Sequence, residues 1–145
     1  MIYLDNGATS FHKPAAVRRA VLSAMKQCAN PGRGGYRASM TASNVVYRCR
    51  EAAGELFGCR PEQVVFTSNC THGLNIALRT LVKPGDPVVI SGFEHNAVMR
   101  VLARLVSRDG IRVKVLQPDE RGLLSPQTLL QAISPRTRLV ILCSP

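Results

Sequence analysis

Val64-Val65-Phe66-Thr67-Ser68-Asn69-Cys70-Thr71-His72-Gly73-Leu74-Asn75 passes from a β-prone run, through a short polar turn, into the opening of a helix. The β-branched and aromatic side chains at 64 to 67 favour an extended strand. Beyond the turn, Leu74, Ala77, Leu78 and Leu81 recur three and four apart, which puts them on one helical face. The same alternation then repeats. Pro84-Gly85-Asp86 punctuates before Val88-Val89-Ile90, and Val98, Val101, Leu102 and Leu105 give a second helical face closed by Gly110. Val113 to Leu116 is another short strand, Ser125-Pro126 an N-cap with a first-turn proline, and Leu129, Leu130 and Ile133 the helix that follows. Leu139-Val140-Ile141-Leu142 closes the series as a buried-looking strand. Strands alternating with helices predict an α/β fold, a mostly parallel sheet with helices on both faces.

Upstream the pattern is purely helical. Pro14 suits a first turn, and Val17, Ala20, Val21 and Ala24 share a face that Asn30-Pro31-Gly32 would end. After a Gly, Pro and Arg-rich loop to Tyr36, the residues Ala42, Val45, Val46, Cys49, Ala53 and Leu56 make a long apolar stripe with Gly58 as its stop. The expected organisation is a helical amino-terminal arm, residues 1–60, ahead of an α/β body, residues 61–145. Because an open α/β sheet normally turns into a ligand-facing loop after a strand, the stop at Pro145 is expected to leave that body incomplete, with an unpaired apolar edge at Leu139 to Leu142.

Nineteen basic residues against nine acidic ones give a net charge of +10. The basic side chains are scattered, with no run of like charge and no interleaved aromatic tract, so no nucleic-acid partner is expected. Five cysteines, none spaced as Cys-x-x-Cys, indicate neither a disulfide framework nor a zinc ribbon. Met1-Ile2-Tyr3-Leu4-Asp5 has no basic region followed by an apolar core, and no stretch approaches a membrane span, so a cytoplasmic setting without membrane attachment is expected.

Chemistry concentrates in two turns where a strand gives way to a helix. At Thr67 to Asn75 the helix start offers unpaired N–H donors and a positive dipole end, and the Thr71 hydroxyl could complete a phosphate site. Thr71 could equally be a plain helix cap. The stretch is neither a Walker loop nor a Gly-x-Gly-x-x-Gly dinucleotide pattern. At Ser91-Gly92-Phe93-Glu94-His95-Asn96-Ala97-Val98, His95 could stack on a planar cofactor or be an ordinary helix-start histidine. Both turns are expected at the carboxyl ends of parallel strands, where such sheets bind ligands.

Four stretches in order carry a resemblance. Tyr3-Leu4-Asp5-Asn6-Gly7-Ala8-Thr9-Ser10, Asn30-Pro31-Gly32-Arg33-Gly34-Gly35, Phe66 to Asn75 and Glu94-His95-Asn96 together resemble the class V aminotransferase family, and within it the cysteine desulfurase branch. The resemblance implies part of the large domain of a pyridoxal 5'-phosphate (PLP) enzyme of fold type I. It implies that Thr71, with the backbone at Cys70, holds the cofactor phosphate, that His95 stacks on the ring, and that Gly7 and Ala8 lie near the substrate carboxylate. The implied reaction converts L-cysteine to L-alanine, with the sulfur passed to a cysteine thiolate as a persulfide. A homodimer and a sulfur-acceptor protein are the implied partners. Three residues depart from the family pattern: His72 stands where Glu is usual, Gly7 where Ala is usual, and Cys70 where a small Ala or Thr is usual. The family's cofactor-bearing lysine and its persulfide cysteine match no residue here, so no catalytic residue is assigned and the isolated chain is expected to be inactive. Two alternatives stand beside this: another class V enzyme, such as an aminotransferase or selenocysteine lyase, and a non-catalytic domain binding a phosphorylated ligand or a partner.

Overall fold

The computed structural model describes residues 2–143. Pro145, at which the body was expected to be left incomplete, lies outside them. The chain forms two compact units, Met1–Phe66 and Thr67–Pro145.

The first unit contains α1 (Ala15–Gln27), α2 (Arg37–Phe57) and a 3-10 turn at Pro61–Gln63. Pro14 is the N-cap of α1 and not a first-turn residue: with ψ at 145° it is extended, and its ring steers the entry into the helix. The helix also ends earlier than Asn30, because Cys28 is already extended. Its apolar stripe forms as expected but buries none of its residues; Val17, Val21 and Met25 all stay exposed. Ser39 of α2 is fully buried and its Oγ donates to the Asn30 carbonyl at 2.9 Å, fastening the Gly/Pro/Arg loop to that helix. At Gly54 the chain passes so close that an added Cβ would lie 2.6 Å from the Cys59 carbonyl oxygen. That approach brings the turn Pro61–Gln63 against α2, so the turn packs with the helical arm although a division at residue 60 would assign it to the body.

Val64 to Thr67, expected as a strand, joins no ladder. Among the described residues no strand offers its N–H and C=O groups a partner, and Val65 and Phe66 remain exposed. β-propensity at these positions is an incomplete instruction without a neighbouring edge.

In the second unit, α3 (Cys70–Leu81) leads to β1 (Pro87–Ser91), α4 (Asn96–Asp109), β2 (Arg112–Leu116), α5 (Pro126–Ala132) and β3 (Leu139–Ile141). The three strands form one parallel sheet in the order β2-β1-β3, with Val89 opposite both Lys114 and Val140. Val88 and Ile90 point to one face, where Leu78 and Val82 meet Val98, Val101, Leu102 and Leu105 of α4 to make the core. Ile90 and Leu102 are almost wholly buried, each contributing about 1.5–3 kcal/mol of transfer free energy. α5 lies against β2, and Ala132 at its end shares a cleft with Val89 and Lys114 of the opposite face. Central β1 therefore delivers its carboxyl end to the middle of the sheet, with β2 and β3 both left as edges. No described helix is long and apolar enough to cross a membrane.

Candidate functional site

The start of α3 is built by Asn69. Its backbone is extended and its side chain accepts from the His72 N–H at 2.9 Å, so Asn69, and not Thr71, is the cap. The turn before it is held by Thr67, whose hydroxyl donates to the Asn69 carbonyl at 3.0 Å, and by His72 Nδ1, which accepts from the Ser68 N–H at 3.4 Å. His72 thus reaches back over the helix start much as an acidic side chain does in a capping box. With the cap supplied at Asn69, the N–H groups of Cys70 and Thr71 have no intrahelical acceptor, and the Thr71 hydroxyl is not needed for the cap. A helix start with donors to spare suits an anion.

The second turn does follow a strand, as expected. Ser91 ends β1 and His95 caps α4, its Nδ1 accepting from the Ala97 N–H at 3.0 Å. That bond fixes the ring's direction. The helix-start role of His95 is therefore observed, and it presents the exposed ring in one orientation. Between them, Glu94 makes a joint that the sequence did not reveal. Its carboxylate accepts from Ser91 Oγ at 2.6 Å and from the Cys143 N–H at 2.7 Å, tying the carboxyl end of β1 to the chain leaving β3.

The two helix starts open onto one cavity of about 460 Å³. Thr71, Asn75 and Arg79 line it from a single stripe of α3, four residues apart, and His95, the cap of α4, lines it with Asn96 and Arg100 of that helix. Thr71 and His95 thus line one cavity, and Cys70, the first residue of α3, is not among its lining residues. Arg79 and Arg100 were not anticipated, although the spacing of 71, 75 and 79 on a helix marks the first of them. Gly7 and Ala8 lie in the first unit, in an exposed turn where the Ala8 N–H donates to the Asp5 carbonyl at 3.2 Å. An added Cβ at Gly7 would meet nothing within 4 Å, so no steric demand explains glycine there.

A family model described as aminotransferase class-V matches residues 2–144. The chain belongs to the class-V aminotransferase family. Among curated proteins, this class-V chain is 33% identical over 141 residues to a probable cysteine desulfurase of Methanothermobacter thermautotrophicus, covering 96% of its own length and 35% of the relative's. Among solved structures it superposes on the apo cysteine desulfurase of Thermococcus onnurineus NA1 with a TM-score of 0.80 at 28% identity, over 97% of this chain and 36% of that one. It shares its fold with the protein C-DES, solved with glycine covalently linked to the PLP cofactor, at a TM-score of 0.74, 23% identity and coverage of 89% and 34%. The class-V chain therefore spans about a third of the length of the relatives it matches.

Proposed function

We propose that this chain supplies the phosphate-binding and ring-contacting half of a PLP-dependent cysteine desulfurase. The observation that carries the proposal is that Thr71 and His95, on different helices, line one cavity. The residues fit the group. A phosphate at the start of α3 would meet the N–H groups of Cys70 and Thr71 and the Thr71 hydroxyl, and the 460 Å³ cavity has room for a pyridine ring beside His95. When bound, PLP supplies the electron sink that the chemistry at the amino acid's carbons needs. His95, its ring held by the bond to Ala97, would form one wall of the ring's slot, and Glu94 would keep that wall in register with β1 and β3.

The chain's four lysines are Lys13, Lys26, Lys83 and Lys114, and none lines this cavity, so no residue here would hold the cofactor covalently. We accordingly expect the 145-residue chain, mixed with PLP and L-cysteine, to release no alanine and, after borohydride reduction of its mixture with PLP, to carry no stoichiometric phosphopyridoxyl group on any one lysine. Alanine release would overturn this. Binding is tested separately: Thr71→Val should weaken PLP association by roughly tenfold or more, as expected for a lost hydrogen bond to a dianion, and an unchanged affinity would remove Thr71 from the site. L-cysteine as substrate, a homodimer, a sulfur-acceptor protein and a cytoplasmic setting complete the proposal. They are supported by the resemblance to cysteine desulfurases and, for the compartment, by cysteines without disulfide-like spacing.

A further inference from the structure

We propose that Arg79 and Arg100 make the groove between α3 and α4 a second anion subsite, distinct from the helix start at Thr71, which takes the phosphoryl or carboxylate group of a small ligand.

The two guanidinium-bearing residues come from different helices and line the same cavity. Arg79 stands eight residues beyond Thr71 on the same stripe, about 12 Å along the helix axis at 1.5 Å per residue, so it marks a different part of the groove. Arg100 begins the second turn of α4 and lines the same cavity. Neither arginine takes part in an ion pair; those found among the described residues are Arg108 with Asp109 and Arg138 with Asp86. No carboxylate lines the cavity. The nearest acidic residue in sequence, Glu94, has its carboxylate engaged by Ser91 and Cys143. Asp109 is held by Arg108 at 2.7 Å, with Arg79 acting on it only through space. Asp109 attracts Arg79 from outside the cavity without pairing with it, so two cations line one cavity that has no carboxylate among its lining residues, and an anion between them offers each guanidinium planar, bidentate bonds. Asn75 spends its amide on the Thr71 carbonyl at 2.9 Å, leaving the arginines as the charged donors of this part of the groove.

The inference rests on the cavity and not on the cofactor, so a failure of PLP to bind would leave it standing. Isothermal titration of the 145-residue chain with inorganic phosphate and with citrate, at fixed ionic strength, tests it. Saturable binding is expected, weakened roughly tenfold or more in the double variant R79Q/R100Q, weakened less in R79K/R100K, which keeps the charge but loses the bidentate geometry, and for citrate changed less than about twofold in Thr71→Val. Equal affinity in R79Q/R100Q, or an equal loss in Thr71→Val, would overturn it. Arginine footprinting with phenylglyoxal gives a second readout that does not need a monodisperse sample: phosphate or citrate should shield Arg79 and Arg100 while leaving Arg18 and Arg19 of α1 reactive. Uniform reactivity overturns the proposal, as does shielding by polyglutamate alone, which would assign the groove to a protein carboxylate.

Discussion

Asn69 and Thr71 sit two positions apart and do different jobs. Asn69→Ala should cost about 1 kcal/mol of stability, the usual worth of a cap, seen as a lower Tm. Thr71→Val should leave Tm unchanged while lowering anion affinity. Glu94→Ala removes the acceptor shared by Ser91 Oγ and the Cys143 N–H and should cost about 1–3 kcal/mol. Arg50 makes the opposite case: its Nε is buried without a hydrogen-bond partner, so Arg50→Met should leave Tm unchanged or raise it. The shared cavity of Thr71 and His95 was legible in the sequence, because each stands at a turn that opens a helix. The Glu94 joint was not, because its partner atom is a backbone N–H 49 positions away and leaves no trace in residue type. The choice of Asn69 over Thr71 as the cap was hidden for a different reason: both residue types cap well, and only the backbone angles decide.

At the scale of elements, α4 carries the second unit. Five of its residues are buried, and Leu102→Ala should cost about 2–5 kcal/mol, measured by chemical denaturation. The helix closes at Gly110 with φ at +65°, where a Cβ is unwelcome, so Gly110→Ala should cost about 1 kcal/mol although nothing lies near it. Just before it, the hydrogen bond from Arg108 holds the Asp109 carboxyl below its ordinary value, with the charges of Arg108 and Arg79 adding to the effect. A carboxyl lowered in this way stabilises the fold above its unfolded pKa, near ~4, and the contribution is lost as pH falls through the lower folded value. Asp109→Asn should therefore flatten the acid limb of a Tm-against-pH curve and leave the neutral region nearly unchanged. Helical spacing identified α1 through α5 because period and burial face are local properties. Val64 to Thr67 failed as a strand because pairing is not local: the same residues need a neighbouring edge that no described strand provides.

Across the whole molecule, hydrophobic side chains are spread more widely than the core that uses them. The sheet has two open edges, the α1 stripe is uncovered, and Leu56, Phe57, Val65 and Leu130 are more than two-thirds exposed. Such surfaces associate, so the isolated chain should show concentration-dependent light scattering, and a monodisperse sample at high concentration would contradict this. The parallel α/β class was readable because alternation of element types constrains sheet direction, whereas the extent of cover depends on surfaces that no single stretch encodes. One consequence follows from the helix start that Asn69 caps. Because the cap resides on residue 69 and the proposed anion contact on residue 71, the two properties would reside on separate codons. Selection, or a protein engineer, can retune what the pocket prefers without first spending the stability that a new preference usually consumes.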